Sequence, residues 1–319
     1  MRNRILEMSG SRLTAGQAAS LEKRVEQDSS DIDSRTQLLS YYFRKQIEDS
    51  SAREAHQKHI LWLIQNSPES EVLATPCGLL YGKLNAVAYS EGKDAWINQL
   101  KNNPENLNVI ENAAKYFMLS DRELANELLL KAQSLDQENP KWPAALGQLY
   151  SLNMIKKSGD NERTEAKKAL EQLEIAYRLS TGLEQTVLLE ELAKAALVAQ
   201  ELAKTREYAE LMLSQSSTGW NAGNNLHQGN IILGKIALAA GNVEEAKHRL
   251  LAAGKTSGSP QLNSFGPDMT LAKALLQKDE KAVVLEYLAL CSKFWTLGKD
   301  RLDQWTEIVK NDQIPSDWR

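Results

Sequence analysis

The feature that most constrains this chain is a pair of short amphipathic helices predicted within residues 230–254. The segment reads N-I-I-L-G-K-I-A-L-A-A-G-N-V-E-E-A-K-H-R-L-L-A-A-G. Apolar and small residues recur every three or four positions on both sides of Gly241 and Asn242, which predicts two helices joined by a turn. Small residues such as Gly234 allow close helix approach. Because one such pair cannot bury its apolar face alone, further pairs are expected to stack on it.

The same spacing recurs in the preceding part of the chain. It is found in residues 107–140, in residues 141–179 with extra residues around 156–165, and in residues 187–213. An apolar residue, then Gly or Ala, then Tyr or Ala mark the first helix of each unit. Regularly spaced Ala marks the second helix, although Thr205 and Met212 depart from Ala in residues 187–213. This pattern resembles the tetratricopeptide (TPR) repeat, a helix–turn–helix unit of about 34 residues. The resemblance implies a helical-repeat fold.

Other segments follow the pattern more loosely. Residues 34–43 and 51–65 form one expected helix pair, residues 69–89 and 93–102 another interrupted by Pro76, and residues 268–277 and 280–295 a degenerate last pair. The sequence T-A-G-Q at residues 14–17 predicts a capping box at the start of a lid helix, and residues 301–310 a closing helix.

Together these patterns predict an all-α protein with no strand. We expect a right-handed α-solenoid of TPR-like repeats, with about seven helix pairs and terminal capping helices. The expected organisation is a single repeat domain over residues 1–319. It comprises an N-terminal cap (1–30), TPR-like repeats (31–254), and a degenerate last pair with a C-terminal cap (255–319).

Composition narrows the class of partner and the compartment. The chain carries 38 basic and 42 acidic residues, a net charge of −4, which argues against a nucleic-acid partner or an anionic membrane surface. Two distant cysteines indicate a reducing compartment rather than a disulfide framework. Without an apolar run long enough for a membrane span or signal peptide, we expect no membrane insertion and a cytoplasmic location. A periplasmic location is the alternative if the natural chain begins further upstream.

Beyond the generic repeat, the chain resembles a group of uncharacterised bacterial TPR-containing proteins. The likeness lies in S-R-T-Q-L-L-S-Y-Y-F (34–43), H-I-L-W-L-I-Q-N-S-P-E-S (59–70), D-R-E-L-A-N-E-L-L-L-K-A-Q-S-L-D (121–136), G-S-P-Q-L-N-S-F-G-P-D-M-T-L-A (258–272) and C-S-K-F-W (291–295). The resemblance implies protein binding and supplies no active site. Some similar proteins are linked to RNA polymerase sigma factors, although no sigma-factor DNA-binding segment is evident here.

Candidate binding residues follow from the repeat register. In TPR arrays, positions 2, 5, 9 and 12 of the first helix of each pair face the concave groove. The candidate groove residues selected in this way are Phe117, Gln148, Glu190, Lys194, Ile231 and Lys235. Lys194 and Lys235 are expected close together, where two ammonium groups could meet a carboxylate or an acidic peptide.

Two long connections, residues 214–225 and 255–266, offer a second candidate surface. They are either spacers that set the angle of the next helix pair or binding loops on a rigid scaffold. In the second interpretation, Trp220 and Phe265 are the candidate contact residues.

Three patterns that could carry other chemistry favour ordinary packing instead. One is the pair Cys77 and Cys291 as candidate nucleophiles, since both lie in apolar, helical contexts where cysteine is usually a small buried residue. Gly229 to Lys235 reads G-N-I-I-L-G-K, but Ile236 follows where a phosphate-binding loop needs Ser or Thr, and the segment is predicted to be helical. His56 and His59 have a spacing that could place two imidazoles near one metal, but no further ligand is apparent. We therefore expect no catalytic residue, no metal and no cofactor.

The sequence favours a non-enzymatic scaffold that binds a protein or peptide in its concave groove. The alternative is a structural or regulatory subunit of an enzyme or transcription-factor complex, bound through the convex face or the long loops. An enzyme is the third and least supported hypothesis.

Overall fold

The computed structural model describes residues 2–155, 157–216 and 219–318, with the side chains of Arg2 and Asn3 left undescribed. The described residues form α-helices, short 3₁₀ turns and connecting loops, and none of them forms a strand. Two compact units are present, Met1–Trp142 and Pro143–Arg319. The expected all-α repeat fold is confirmed in both units, each of which is described separately below.

Unit 1 is a succession of helices in which, from the second helix to the seventh, consecutive helices pack on each other, while the first packs on the third. Two short 3₁₀ turns, Glu71–Ala74 and Pro76–Gly78, lie between the fourth and fifth helices. The helices are α1 (Arg2–Gly10), α2 (Ala15–Gln27), α3 (Ile32–Lys45), α4 (Ser50–Asn66), α5 (Ala86–Asn102), α6 (Leu107–Phe117) and α7 (Arg122–Leu135).

Local sequence explains where several of these helices begin. The Thr14 hydroxyl accepts from the Gln17 N–H while the Gln17 side chain accepts from the Thr14 N–H, so the predicted capping box is formed. Four further helices, α3 to α6, start after an Asp or Asn whose side chain accepts backbone N–H groups of the first turn. These N-cap residues are Asp31, Asp49, Asn85 and Asn106.

One expected helix of unit 1 is wrong. Residues 69–89 contain the two 3₁₀ turns and a non-helical stretch, and only α5 forms a full helix in that part of the repeat. Pro76 starts the second 3₁₀ turn, because its fixed φ and missing N–H suit a first helical position and not a helix interior. Helix α1 was missed; it packs on α3, where Gly10 meets the backbone of Gln37.

Unit 2 begins within α8 and contains the best-formed repeats. Consecutive helices from α9 to α13 pack on each other, and α10 also contacts α12 across the repeat. A short 3₁₀ turn, Thr296–Gly298, precedes the last helix. The helices are α8 (Lys141–Met154), α9 (Asp160–Leu179), α10 (Gly182–Val198), α11 (Leu202–Ser214), α12 (Ala222–Ala239), α13 (Val243–Gly254), α14 (Pro260–Phe265), α15 (Thr270–Leu276), α16 (Lys281–Cys291) and α17 (Lys299–Lys310).

The helix pair predicted within residues 230–254 is present as α12 and α13. Gly241 forms the turn between them with a φ of +79°, a conformation that a glycine adopts without strain. Gly234 lies in the interior of α12, and a Cβ built there would come within 2.3 Å of Leu271 and 3.1 Å of the Cβ of Arg249. Gly234 is therefore required because α15 and α13 pack closely against it. Its backbone conformation does not require glycine, since it is that of an ordinary helix.

Both long connections are shorter than expected because helices extend into them. Helix α12 starts at Ala222, so the first connection covers residues 215–221, of which 217 and 218 lie outside the described residues. The second connection contains α14, which Ser259 caps and Pro260 starts. The expected insertion around residues 156–165 reduces to a short turn before α9, and Lys156 lies outside the described residues.

Replacing Gly234 with alanine tests the contact between α12 and α15. We expect Gly234→Ala to lower the free energy of unfolding by about 1–3 kcal/mol, because the new Cβ would force the fully buried Leu271 side chain to shift within the core. Gly16→Ala is the matched control, since no atom lies within 4 Å of the new Cβ and the helix propensity of alanine should stabilise α2 slightly. Urea denaturation followed by circular dichroism measures both; equal effects would contradict the contact argument.

Candidate functional site

One cleft of unit 2 lies along the first helices of successive pairs. Helix α10 contacts α12, and α12 contacts α14, so these three helices and the residues before α12 surround a cleft of about 360 Å³. Its lining residues are Val187, Glu190, Lys194, Trp220, Asn221, Asn224, Gln228, Gln261, Leu262, Phe265 and Gly266.

An ion pair forms one wall of the cleft. Lys194 Nζ donates to Glu190 Oε1 at 2.5 Å, one helical turn apart on α10, and Asn224 Nδ2 donates to Glu190 Oε2 at 2.7 Å. Burial disfavours the charged form of Lys194, but the carboxylates of Glu190, Glu191 and Asp268 outweigh it and raise the pKa of this lysine. The ammonium is therefore charged and already neutralised by nearby carboxylates.

Side-chain amides line the opposite wall. Gln261 Nε2 donates to Asn221 Oδ1 at 3.3 Å, and Asn221 Nδ2 donates to Asn225 Oδ1 at 2.8 Å, so α14 is tied to the start of α12. The Oε1 atoms of Gln228 and Gln261 are buried and have no hydrogen-bond partner among the described residues. Buried polar atoms without a partner are uncommon and costly, which makes these two acceptors informative about what the cleft receives.

Two aromatic side chains stand at the rim of the cleft. Trp220 is 53% exposed and Phe265 is 86% exposed, although both are large apolar residues. Phe265 is the last residue of α14, whose Leu262 is buried in the core of unit 2. Gly266 follows with a φ of +85°, and a Cβ there would come within 2.6 Å of the Trp295 ring. The backbone that carries Phe265 is thus closely packed while its ring faces solvent.

The loop that carries α14 is held against α12 by close backbone contact. A Cβ on Gly223 would come within 1.9 Å of the Gly258 carbonyl oxygen, so only glycine fits there. The Thr256 hydroxyl donates to the Gly223 carbonyl oxygen at 2.8 Å and accepts from the Gly258 N–H at 3.1 Å. These contacts fix the wall that α14 contributes to the cleft.

A buried histidine holds the next part of the same loop. His227 Nδ1 lies 3.2 Å from the Ala253 carbonyl oxygen, and His227 Nε2 accepts from the Asp268 N–H at 3.1 Å. This arrangement requires the neutral tautomer protonated on Nδ1, and burial lowers the pKa of His227 accordingly. Tyr287 adds a hydrogen bond from its hydroxyl to the Asp268 carbonyl oxygen.

The structure brings four of the eight candidate residues from the sequence to this one cleft: Glu190, Lys194, Trp220 and Phe265. Lys235 does not line it, although it lies on the same helix as Gln228. Gln148 is exposed on α8 and also lies outside the cleft.

The remaining two candidates, Phe117 and Ile231, are buried and offer no surface for a ligand. Phe117 is covered because α6 packs against both α7 and the 3₁₀ turn at Glu71–Ala74. Ile231 belongs to the buried cluster that α12 forms with α13, α15 and α16. The repeat register assigned both positions to an open face, but additional elements cover that face in this chain.

Sequence reasoning missed the amide residues of the cleft. Four of the lining side chains are amides: Asn221, Asn224, Gln228 and Gln261. Gln228 occupies a groove-facing position of the repeat register but was not selected as a candidate, and the other three lie outside positions 2, 5, 9 and 12. A signal was present in N-A-G-N-N-L-H-Q (221–228), an unusually polar start for a helix that is otherwise buried. That polarity marks the first turns of α12 as part of a polar cleft.

The other patterns considered from the sequence are structural. Gly229 and Gly234 lie within α12, where the backbone N–H groups are committed to the helix, so the G-N-I-I-L-G-K segment is not a phosphate-binding loop. Cys77 and Cys291 are buried free thiols whose pKa values are raised by burial, which disfavours the nucleophilic thiolate.

The two histidines of α4 are engaged in separate hydrogen bonds. His56 Nε2 lies 2.8 Å from the Cys77 carbonyl oxygen, and burial lowers the pKa of His56 to about 4. Arg35 donates to His59 Nδ1 at 3.0 Å, so His59 Nε2–H donates to Glu22 Oε1 at 2.9 Å. Within the described residues no group of three or more His, Cys, Asp or Glu side chains is placed to hold a metal ion.

Taken together, the fold and the cleft define an all-α helical-repeat protein built from TPR-like pairs. No protein-family model matches the chain, and no curated protein matches it. Among solved structures, the human IFIT1 dimer with m7Gppp-AAAA is similar, with 17% sequence identity and a TM-score of 0.49 over 92% of this chain and 67% of that chain. At this level the likeness supports no inference about ligands. No helix in the described part of the chain is long and apolar enough to cross a membrane.

The buried His56 predicts a loss of stability in mild acid. Its pKa of about 4 in the folded protein lies below the value of 6.5 for an exposed histidine, so the unfolded chain binds a proton first. Stability from this group is complete above pH 6.5, and about 2 kcal/mol should be lost between pH 6.5 and 5. Urea midpoints across this range should show a shallower slope for His56→Gln. His248→Gln, at an exposed position, controls for the loss of a histidine; equal slopes would contradict the prediction.

The partnerless oxygen of Gln228 predicts a stabilising substitution. Gln228→Met replaces the buried amide with an apolar side chain of similar length, so we expect the free energy of unfolding to rise by about 1 kcal/mol. Asn224→Leu is the contrasting variant, because it removes a hydrogen bond to Glu190 and should destabilise the protein. Thermal melting of both variants tests the assignment, and a destabilised Gln228→Met would refute it.

Proposed function

We propose that this protein is a non-enzymatic scaffold that binds an extended segment of a partner protein in the cleft between α10, α12 and α14. The observation that carries the proposal is a pair of exposed aromatic residues, Trp220 and Phe265, at the rim of a polar cleft, with Phe265 held on closely packed backbone. Exposed aromatic side chains on a rigid support are typical of binding sites, because little conformational freedom is lost when they make contact.

A second cleft supports an extended ligand. It has a volume of about 430 Å³ and is lined by residues of α10, of the loop between α11 and α12, and of the first turn of α12. Trp220 and Asn221 line both clefts, so the two adjoin at the Trp220 side chain. Leu183, which is exposed, contributes an apolar side chain to the second cleft. A peptide in extended conformation is the ligand shape that would occupy both.

Two of the surfaces considered from the sequence, the groove and the long loops, contribute residues to one cleft of unit 2. The groove hypothesis rests on Glu190 and Lys194 of α10, and the loop hypothesis rests on Trp220 and Phe265, yet all four line one cleft. Binding through the groove and binding through the long loops are therefore the same proposal in unit 2. Deleting residues 255–266 would remove a wall of the cleft and would not separate them.

Charge and chemistry favour a protein segment over the other classes of ligand. Lys194 is paired with Glu190 and lies within the influence of two further carboxylates, which disfavours a phosphate backbone. No catalytic role is proposed for any residue of the cleft. A cytoplasmic location and a single repeat domain over residues 1–319 remain predictions of the sequence.

Selection from a random peptide library tests this function. The purified full chain is immobilised, enriched peptides are synthesised, and their affinities are measured by fluorescence polarisation. We expect Trp220→Ala and Phe265→Ala each to weaken binding by about tenfold, as loss of an aromatic anchor at the centre of a contact surface commonly does.

Leu202→Ala is the matched control, because Leu202 is a half-exposed apolar residue at the start of α11 and does not line either cleft. The proposal fails if no peptide is enriched, or if enriched peptides bind both aromatic variants as tightly as the control. Preferential binding of single-stranded RNA, unaffected by the aromatic substitutions, would also overturn it.

A further inference from the structure

We infer that the cleft is built to receive an arginine side chain of the partner segment. This inference rests on the proposed function and names the chemistry that the cleft recognises. Three independent features of the described residues support it: the local balance of charge, the buried acceptors without partners, and the exposed aromatic rings.

The charge around the cleft favours a cation. Glu190 lines the cleft and Asp268 is close enough to act on Lys194, so two carboxylates offset one ammonium group, while burial raises the pKa of the nearby Glu191. His227 beneath the cleft adds no charge, because both ring nitrogens are hydrogen-bonded in the neutral form. The sequence pointed to an acidic ligand for Lys194, but these neighbours leave a net negative site that attracts a basic group.

The buried polar atoms of the cleft that lack a hydrogen-bond partner among the described residues are acceptors. Gln228 is only 9% exposed, and the described residues supply no donor to its Oε1 atom or to that of Gln261. The terminal torsion of a glutamine side chain is soft, so a small rotation turns such an oxygen toward a ligand. A ligand that supplies several N–H donors therefore satisfies both amides, and a guanidinium group carries five.

The aromatic rim suits a planar cation. Trp220 and Phe265 both line the cleft and expose their rings, and a guanidinium group stacks on such rings while its N–H groups remain free to donate. The protein already uses this contact elsewhere, since the Arg35 guanidinium lies 3.6 Å from the centroid of the Trp62 ring in unit 1. A lysine side chain would supply the same positive charge, but its ammonium group has fewer N–H donors than a guanidinium group, and their directions are not fixed in a plane.

Matched peptides test the inference directly. The probe is acetyl-Ala-Ala-Arg-Ala-Ala-amide, compared with peptides in which lysine, citrulline, leucine or glutamate replaces arginine. Citrulline keeps the shape and most donors of arginine but carries no charge. Binding is followed by 19F NMR of the full chain labelled with 5-fluorotryptophan, with the Trp220 resonance assigned from Trp220→Phe.

We expect the arginine peptide to shift the Trp220 resonance at millimolar concentration. It should bind about tenfold more tightly than the citrulline peptide, with lysine between them and glutamate weakest. Equal affinities for the arginine and citrulline peptides would overturn the inference, and so would a preference for glutamate.

Three variants separate the contributions. Phe265→Leu, at an exposed position that should not affect folding, is expected to weaken the arginine peptide severalfold, and Gln228→Met should weaken it while raising the melting temperature of the free protein. Lys194→Gln removes a competing cation and should tighten the arginine peptide. Leu202→Ala should change nothing. Weaker arginine binding by Lys194→Gln, in a protein whose melting shows that it is folded, would contradict the charge argument.

The outcome also distinguishes this inference from the function on which it rests. Library peptides that bind in a Trp220-dependent and Phe265-dependent way but show no preference for arginine would leave the proposed function standing and refute the arginine site. Absence of any cleft-dependent peptide would refute both.

Discussion

Close packing around α12 is the constraint on which the rest of unit 2 depends. This helix contacts α10, α11, α13, α14 and α15, and three of its glycines lie where a Cβ atom would come within 3.0 Å of a neighbouring atom. Gly223 meets the backbone at Gly258, Gly229 meets the Ala209 carbonyl oxygen of α11, and Gly234 meets Leu271 of α15. Each contact fixes a different neighbour, so the positions of the surrounding helices follow from the surface of this one helix.

The binding cleft is a consequence of that packing. Because α14 and its loop are held against α12 by Thr256 and His227, one wall of the cleft is positioned by buried contacts. The opposite wall is positioned by α10, which packs directly on α12. Most side chains that line the cleft are polar or aromatic, with Val187 and Leu262 as the aliphatic ones, while the elements that support them have apolar cores. Such a division between a rigid support and an exposed binding surface reduces the ordering cost of binding.

The sequence predicted the repeat fold well because the fold depends on periodicity. Small residues at regular spacing, such as Gly147 against Leu173 and Gly234 against Leu271, report helix contacts that are local or nearly local in the chain. The cleft was predicted only in part. The repeat register found Glu190 and Lys194, and exposure on a loop suggested Trp220 and Phe265, but nothing in the sequence showed that these pairs meet.

The failures have the same physical origin. Whether Phe117 faces a groove depends on a 3₁₀ turn whose packing on α6 no helical period describes. Whether Lys194 is available to an anion depends on a carboxylate one turn away and on Asp268, which approaches from a distant part of the chain. Burial and charge balance are set by tertiary neighbours, and a repeat consensus contains no information about insertions specific to one chain.

The three glycine contacts of α12 also limit how freely this repeat could be exchanged. In a regular solenoid, neighbouring units meet through equivalent surfaces, so one consensus unit can often stand in for another. Here the consensus requires a small residue only at the position of Gly234, whereas Gly223 and Gly229 serve contacts peculiar to this chain. An idealised repeat grafted in place of α12 and α13 would bring side chains into the backbone of its neighbours. The repeat formed by α12 and α13 is therefore specific to its neighbours, and a consensus repeat could not replace it without changes in the surrounding helices.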